Sequence, residues 1–257
     1  RSPQGVSSAA SDVYKRQDHT QWQAERRASV TSATGNLALI ETRWTGEAPD
    51  LDAEQQAASD TVTVTRIQRT NIETGEAEHG LRLWDADAPA IRAFDRIDTY
   101  DYDPAWVLEG HFTPVSGDRR VSFEHIRDNG GTRELVVPGD IHFELDGREY
   151  DLAAFDDGGT LLLVFGDETN GAETYGSGRF LFVELRDDEG TVVLDFNRAF
   201  VPPCGFSAQY NCPLPPASNR FPLPIRAGEK NVVFRDGFDI YACLLYTSDA
   251  ADDTPCV

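Results

Sequence analysis

Methionine is absent from the 257 residues, lysine occurs only at positions 15 and 230, and cysteine occurs four times. The chain holds no run of about 18 apolar residues, which excludes a membrane-spanning helix and with it a membrane role read from hydropathy. Basic groups are also scarce, 23 against 44 acidic ones, for a formal charge of −21. Nucleic-acid binding is excluded on that balance, because its partners must displace counterions with a basic patch. The common catalytic signatures are missing as well. There is no G-x-S-x-G elbow, no H-E-x-x-H, no phosphate loop with its lysine and no dinucleotide fingerprint, so no cofactor is implied. Of the five histidines, none stands at ligand spacing with another. Glu109 shares a strand face with His111, and His142 with Glu144, which reads as solvated strand faces and not as a metal site.

What is present is a folded core. Forty per cent of the residues are hydrophobic and 10% aromatic, too apolar for a disordered chain and enough for one domain. The ends are set apart. Asp12–Gln17 (DVYKRQ) can be written as GAT GTG TAT AAG AGA CAG, and the reverse complement of that string, in a shifted frame, encodes Cys243–Ser248 (CLLYTS). The agreement continues outward from Ser7–Ser11 to Asp249–Asp252, as in a transposase sequencing adapter read through as protein. Residues 1–17 and 243–257 are therefore expected to be adapter-derived and poorly ordered, with 18–242 as a single domain. The natural N-terminus is read as missing, and a cytoplasmic location is expected. Between 18 and 242 only Cys204, Cys212 and Lys230 remain of their types.

His19–Ser32 carries Trp22, Arg26 and Val30 four apart, the spacing of one short amphipathic helix. Thr61–Arg69 (TVTVTRIQR) alternates as a half-buried strand, turns near Thr74-Gly75 and returns through His79–Trp84. From Trp106 the pattern is a meander. Short strands over Trp106–Thr113, Arg120–Arg127, Thr132–Val137, Asp140–Leu145, Glu149–Phe155, Leu161–Phe165, Arg179–Leu185 and Thr191–Phe196 are separated by glycine-rich turns. The expected fold is all-β, a single antiparallel barrel or sandwich meander with one short N-terminal helix and a proline-rich C-terminal loop.

The informative stretch begins at Gly166. It reads GDETNGAETYGSGRFLFVEL, then VVLDFNRAFVPPCGFSAQYNCPLPPASNRFPLPIRAGEK. These segments resemble the domain-of-unknown-function 1684 family, whose pattern D-x-T-x-G-x-x-T-Y-x-x-G-R-[FY]-L is followed by L-D-F-N-x-A-[FY]-x-P-P-C, C-P-L-P-P-x-x-N-R and A-G-E. The chain matches through Asp167, Thr169, Gly171, Thr174, Tyr175, Gly178, Arg179, Asp195, Asn197, Cys204, Cys212, Asn219, Arg220, Gly228 and Glu229. The resemblance runs upstream to Trp22 and to Phe112–Pro114. Val201 departs from the pattern, which has asparagine before the two prolines. The resemblance implies no activity.

Physical reading of the same stretch points to a stiff wall. Seven of the 14 prolines lie between Pro202 and Pro224. Such a segment cannot be a central strand and should strap across the barrel. Cys204 and Cys212 either close a short loop by a disulfide, worth roughly 2.5 kcal/mol on the chain-entropy model, or stand as buried thiols. Strand alternation puts Asp195 opposite to Leu194 and Phe196, with Asn197 on the side of Asp195. Two functional expectations follow. In the first, Asp167, Tyr175, Arg179, Asp195, Asn197, Asn219, Arg220 and Lys230 line a pocket beneath the 200–225 loop and hold a small anionic molecule, since arginine with amides suits a carboxylate or phosphate. Any catalysis there would fall to Asp195 or Asp167 as general acid or base. In the second, the same residues are a buried polar network pinning the loop, and the protein is an acidic interaction module without catalysis. The residues leave oligomeric state open.

Overall fold

In a computed structural model of the chain, the described residues are 5–70, 74–115, 119–124, 132–157, 159–184 and 190–242. The fold is β-rich and its sheets are antiparallel. The chain divides into two compact units, one of residues 26–96, 203–212 and 232–257, the other of residues 1–25, 97–202 and 213–231, where the sequence is read as one domain. Helix α1 (Gly5–Val30) contributes to both and begins well before the His19 expected as its start, so part of the stretch read as adapter-derived continues it. The spacing argument holds within the helix: His19 and Val30 are buried and Trp22 and Arg26 half-buried, all on one stripe. Residues 243–257 lie outside the described chain. Among the described residues no helix is long and apolar enough to cross a membrane.

The first unit is built on three strands, β1 (Leu39–Gly46), β2 (Val62–Thr70) and β3 (Ala77–Asp85), with β3 between the other two. The β2–β3 ladder runs in unbroken register from Val62↔Asp85 to Thr70↔Ala77 and places Arg69 opposite Glu78, whose Nε and Oε2 are 2.5 Å apart. Helix α2 (Leu51–Ala57) forms where the Asp50 carboxylate accepts from the N–H groups of Asp52 and Ala53. Helix α3 (Pro89–Ala93) starts on a proline and leads into β4 (Phe94–Thr99), a strand the sequence pattern does not announce.

The second unit contains β5 (Val107–Pro114), β6 (Arg120–Glu124), β7 (Thr132–Val136), β8 (Gly139–Leu145), β9 (Arg148–Asp157), β10 (Thr160–Phe165), β11 (Arg179–Val183) and β12 (Thr191–Asp195), and the first half of β13 (Glu229–Phe234) lies within its boundary at Asn231. Strands β6 and β7 pair with each other; the remaining residues of the strand expected over Arg120–Arg127 are outside the described chain. Six strands form one sheet in the order β11-β10-β9-β8-β5-β12, and it curls until its two edge strands approach each other. The β8–β9 turn is tight because Asp146 and Gly147 both adopt positive φ, 52° and 74°, the backbone that a two-residue hairpin requires. Inside the curl, Phe196 is the hub of the core. Its ring meets those of Trp106, Phe143, Phe165 and Phe221 at centroid separations of 5.4–6.3 Å. Leu163, Leu181 and Leu194 pack in the same cluster with essentially no exposure.

Because Leu194 is fully buried on an edge strand that the curl has to close, truncating it leaves a cavity that the sheet cannot refill. Leu194→Ala should cost about 2–5 kcal/mol, read as a lower urea midpoint at unchanged slope.

Candidate functional site

The proline-rich stretch is held at its C-terminal part, residues 213–231, by two side chains of the motif. Asn219 is completely buried. Strands β9 and β10 pair only from Thr160↔Asp157 to Leu162↔Phe155, and beyond that point they part. The Asn219 amide fills the gap: its Oδ1 accepts from the Ala153 N–H at 2.9 Å, and its Nδ2 donates to the carbonyls of Ala153 and Val164 at 2.9 and 3.0 Å. Backbone bonds Gly166 N–H to Asn219 O (3.0 Å) and Phe221 N–H to Gly166 O (2.8 Å) continue the attachment on either side of Arg220.

Arg179 is the other anchor and has no exposed surface. Its guanidinium donates to the carbonyls of Ile225 (2.7 Å), Ala227 and Glu229 (3.3 Å), and to the Asp167 carboxylate at 2.8 Å. Both side chains of that ion pair are fully buried. The other Asp167 oxygen accepts from the Thr169 N–H and hydroxyl and from the Ile225 N–H. Arg179 Nε has no hydrogen-bond partner and faces no water. The adjoining Glu229, also buried, accepts the Val201 N–H at 2.7 Å. Gly228 between them has φ of 78°, and a Cβ there would sit 2.5 Å from the Ala199 carbonyl, which accounts for the glycine of the A-G-E segment.

The turn from Asp167 to Gly178 is set by its own side chains. Asn170 accepts the Asp167 N–H at 2.7 Å and donates to Thr174 Oγ1 and to the Tyr175 carbonyl, while the Thr169 and Thr174 hydroxyls lie 2.8 Å apart. Tyr175 enters through its backbone, its N–H donating to the Lys230 carbonyl at 2.8 Å. Lys230 Nζ lies 5.0 Å from the centroid of the Tyr100 ring, a cation–π contact. Beside it, Glu173 receives a forked pair from Arg226 and the Tyr100 hydroxyl at 2.8 Å. The Arg226 guanidinium, then the Tyr100 hydroxyl, hold the Glu173 carboxyl down to about 2, and burial followed by Glu173 pushes the Tyr100 phenol up to about 12. Neither Tyr100, Glu173 nor Arg226 stood out in the sequence.

Asp195 and Asn197 belong to a separate constellation. The sequence places both on one strand face, but β12 ends at Asp195 and Phe196–Arg198 turns as a 3-10 helix capped by the Asp195 carboxylate. Asn197 is thereby buried, exchanging two 2.9 Å hydrogen bonds with the backbone of Asp103, while Asp195 keeps partial exposure and lies 3.6 Å from Arg198 Nε. Arg179 and Asn197 each have their own buried partners, and the single ligand shell expected around Arg179, Asp195 and Asn197 is replaced by two networks. Cys204 and Cys212 stand as buried thiols, with the Cys204 N–H donating to Cys212 Sγ at 3.3 Å. The neighbouring Cys204 thiol, then burial, push the Cys212 thiol up. His111 and His142 face each other across β5 and β8, and His142 pairs with Asp151; among the described residues no group of three or more His, Cys, Asp or Glu could hold a metal.

One open cleft lies against the first network. Its volume is about 590 Å³, and it is walled by Gly166, Asp167, Glu168 and Asn170, by Gly176–Gly178, and by Leu214, Pro215, Arg220 and Phe221 of the proline-rich stretch. Arg220 is exposed there, and its guanidinium makes no ion pair among the described residues.

A curled antiparallel sheet whose proline-rich segment is locked by a buried Asp–Arg pair defines the class of this protein by its architecture. The chain belongs to the family described as "Protein of unknown function (DUF1684)", which matches residues 92–230. That match begins well after Trp22, where the sequence resemblance starts. The solved solution NMR structure of an uncharacterised protein from Haloarcula marismortui is 32% identical over 54% of this chain and 77% of that chain, with a TM-score of 0.44. No curated protein matches the chain.

Removing one member of the buried pair should be far worse than removing its charge altogether. Arg179→Met leaves the Asp167 carboxylate buried without its cation and should cost about 3–5 kcal/mol, and adding Asp167→Asn should restore part of the loss in urea unfolding. For Glu173, the folded value is depressed, so its stabilising contribution is complete above its ordinary value and fades as pH falls through about 2. The melting-temperature gap between the wild type and Glu173→Gln should therefore narrow steadily on acidification from about pH 5 towards about pH 2.

Proposed function

We propose that the protein binds a small anionic molecule, a carboxylate or phosphate compound, in the cleft between the Gly166–Gly178 turn and the Leu214–Phe221 segment. The observation that carries this reading is Arg220: an exposed guanidinium without an ion-pair partner among the described residues, at the wall of a cavity of about 590 Å³. Of the two acids in the wall, Asp167 is neutralised by Arg179 and hydrogen-bonded on both oxygens, so it opposes an anion little, and the exposed Glu168 is the one carboxylate of the lining that an anion would have to avoid. A planar guanidinium accepts a carboxylate or phosphate through two parallel hydrogen bonds, and the Asn170 amide lines the same space. Asp167 is committed to its four donors, which leaves acid–base work there without support, and no catalytic step is assigned.

A second reading has its own observation. Arg179, Asn197 and Asn219 are each at most 1% exposed, as expected if the motif serves only to lock the fold while the protein works through its acidic exterior as an interaction module.

Isothermal titration with inorganic phosphate and with malonate separates the two. Saturable binding that falls about tenfold or more in Arg220→Ala, the scale of a lost charge-assisted hydrogen bond, is expected on the first reading. Absence of heat with either anion, or equal binding by the variant, would move the assignment to the second.

A further inference from the structure

A second cleft, of about 500 Å³, is lined by Lys15, Asp18 and Trp22 of α1 and by Tyr102, Phe182, Glu184, Asp195, Arg198 and Phe200. Its chemistry differs from that of the first. Four aromatic rings line it, and one of them, Phe182, is 48% exposed although it is a large hydrophobic residue. Phe182 stacks on Phe200 at 5.2 Å, leaving a flat apolar floor on the outer face of β11. Of the two cations, Arg198 is engaged by both Asp18 and Asp195. Glu184 remains exposed on the lining, and the lining carries one negative charge in excess of its positive ones.

Behind the rings sits His19. It is 95% buried, packed between Trp22 at 5.6 Å and Tyr102 at 5.5 Å, and its Nδ1 has no hydrogen-bond partner among the described residues. A buried polar atom left without a partner carries a desolvation cost that a fold ordinarily avoids unless a ligand or water completes the site. Burial lowers the His19 pKa, with the Asp195 carboxylate opposing that shift and Arg198 adding to it. The imidazole is thus a neutral flat surface at ordinary pH, contributing no charge of its own against a cation.

The geometry points to this cleft as a binding site for a small organic cation, an ammonium or guanidinium group carried on a compact apolar body. Aromatic faces attract such a cation through their quadrupoles, and the carboxylate of Glu184 fixes its charged end. Phosphate and carboxylate compounds are disfavoured here, because three lining carboxylates face two cations and Glu184 stands exposed among them. The assignment does not rest on anion binding at Arg220.

Benzyltrimethylammonium is a suitable probe, with benzyl alcohol and benzoate as neutral and anionic counterparts. Titration into the ¹⁵N-labelled full chain should shift the Trp22 indole resonance in a saturable way, with benzyl alcohol at least tenfold weaker and benzoate without effect. Phe182→Ala and Glu184→Gln, both at exposed positions outside the core, should each weaken the probe about tenfold while leaving phosphate binding at the Arg220 cleft unchanged. Benzyl alcohol binding as tightly as the cation, or full affinity in both variants, would overturn the assignment. If Phe182→Ala fails to fold, the Glu184→Gln arm alone decides the matter.

Discussion

The charge of one guanidinium organises the second unit. Arg179 opens strand β11, turns inward and meets three consecutive odd-numbered carbonyls of the returning chain together with the Asp167 carboxylate, all away from water. Burying a charge of this kind is costly, and the cost is offset only when nearly every donor finds an acceptor. Here the acceptors come from a segment that cannot form a ladder of its own, being broken by prolines. The strap and the buried ion pair are therefore one device. Without the strap the arginine would be a destabilising charge, and without the arginine the strap's inward carbonyls would be unsatisfied.

That dependence explains which parts of the chain could be read in advance. Turn glycines and alternating apolar residues marked most strands of the curled sheet, because a two-residue Asp-Gly hairpin or a run such as Leu161–Phe165 has few other folded uses. Strands β4 and β13 escaped notice, since FDRIDT and EKNVVF carry too little alternation of polarity to declare a face. The spacing of Trp22, Arg26 and Val30 marks helix α1 only from His19 onward, because the residues before it carry no apolar stripe, while the helix itself begins at Gly5. Of the motif residues, Arg179 and Asn219 bond to the proline-rich stretch or hold it to the sheet, whereas Asn197 bonds to Asp103 and Asp195 lies beside Arg198. Their division into two networks was not legible, because it depends on β12 ending at Asp195: a strand period continued by two residues puts Asn197 on the wrong face.

The networks also show why a residue's prominence in a pattern says little about its contact with solvent. Arg179, Asn219 and Asn197 have the chemistry of ligand holders and are spent on backbone groups of their own chain. Arg220, adjacent to Asn219, has the same chemistry and faces outward. One step along the chain separates a lock from a candidate contact. His19 was passed over for the opposite reason: a single histidine near the start of a helix carries no signal until Trp22, Tyr102 and Asp195 are seen around it.

Asn219 sits at the fork of the curled sheet. Two antiparallel neighbours left to themselves tend to zip along their whole length, and β9 and β10 would then run flat past Phe155. An amide wedged at the fork, imitating a peptide unit to Ala153 and Val164, stops the zipper after three residue pairs and keeps the mouth between the strands apart. A side chain of the proline-rich segment thus completes the hydrogen bonding that the two strands leave open.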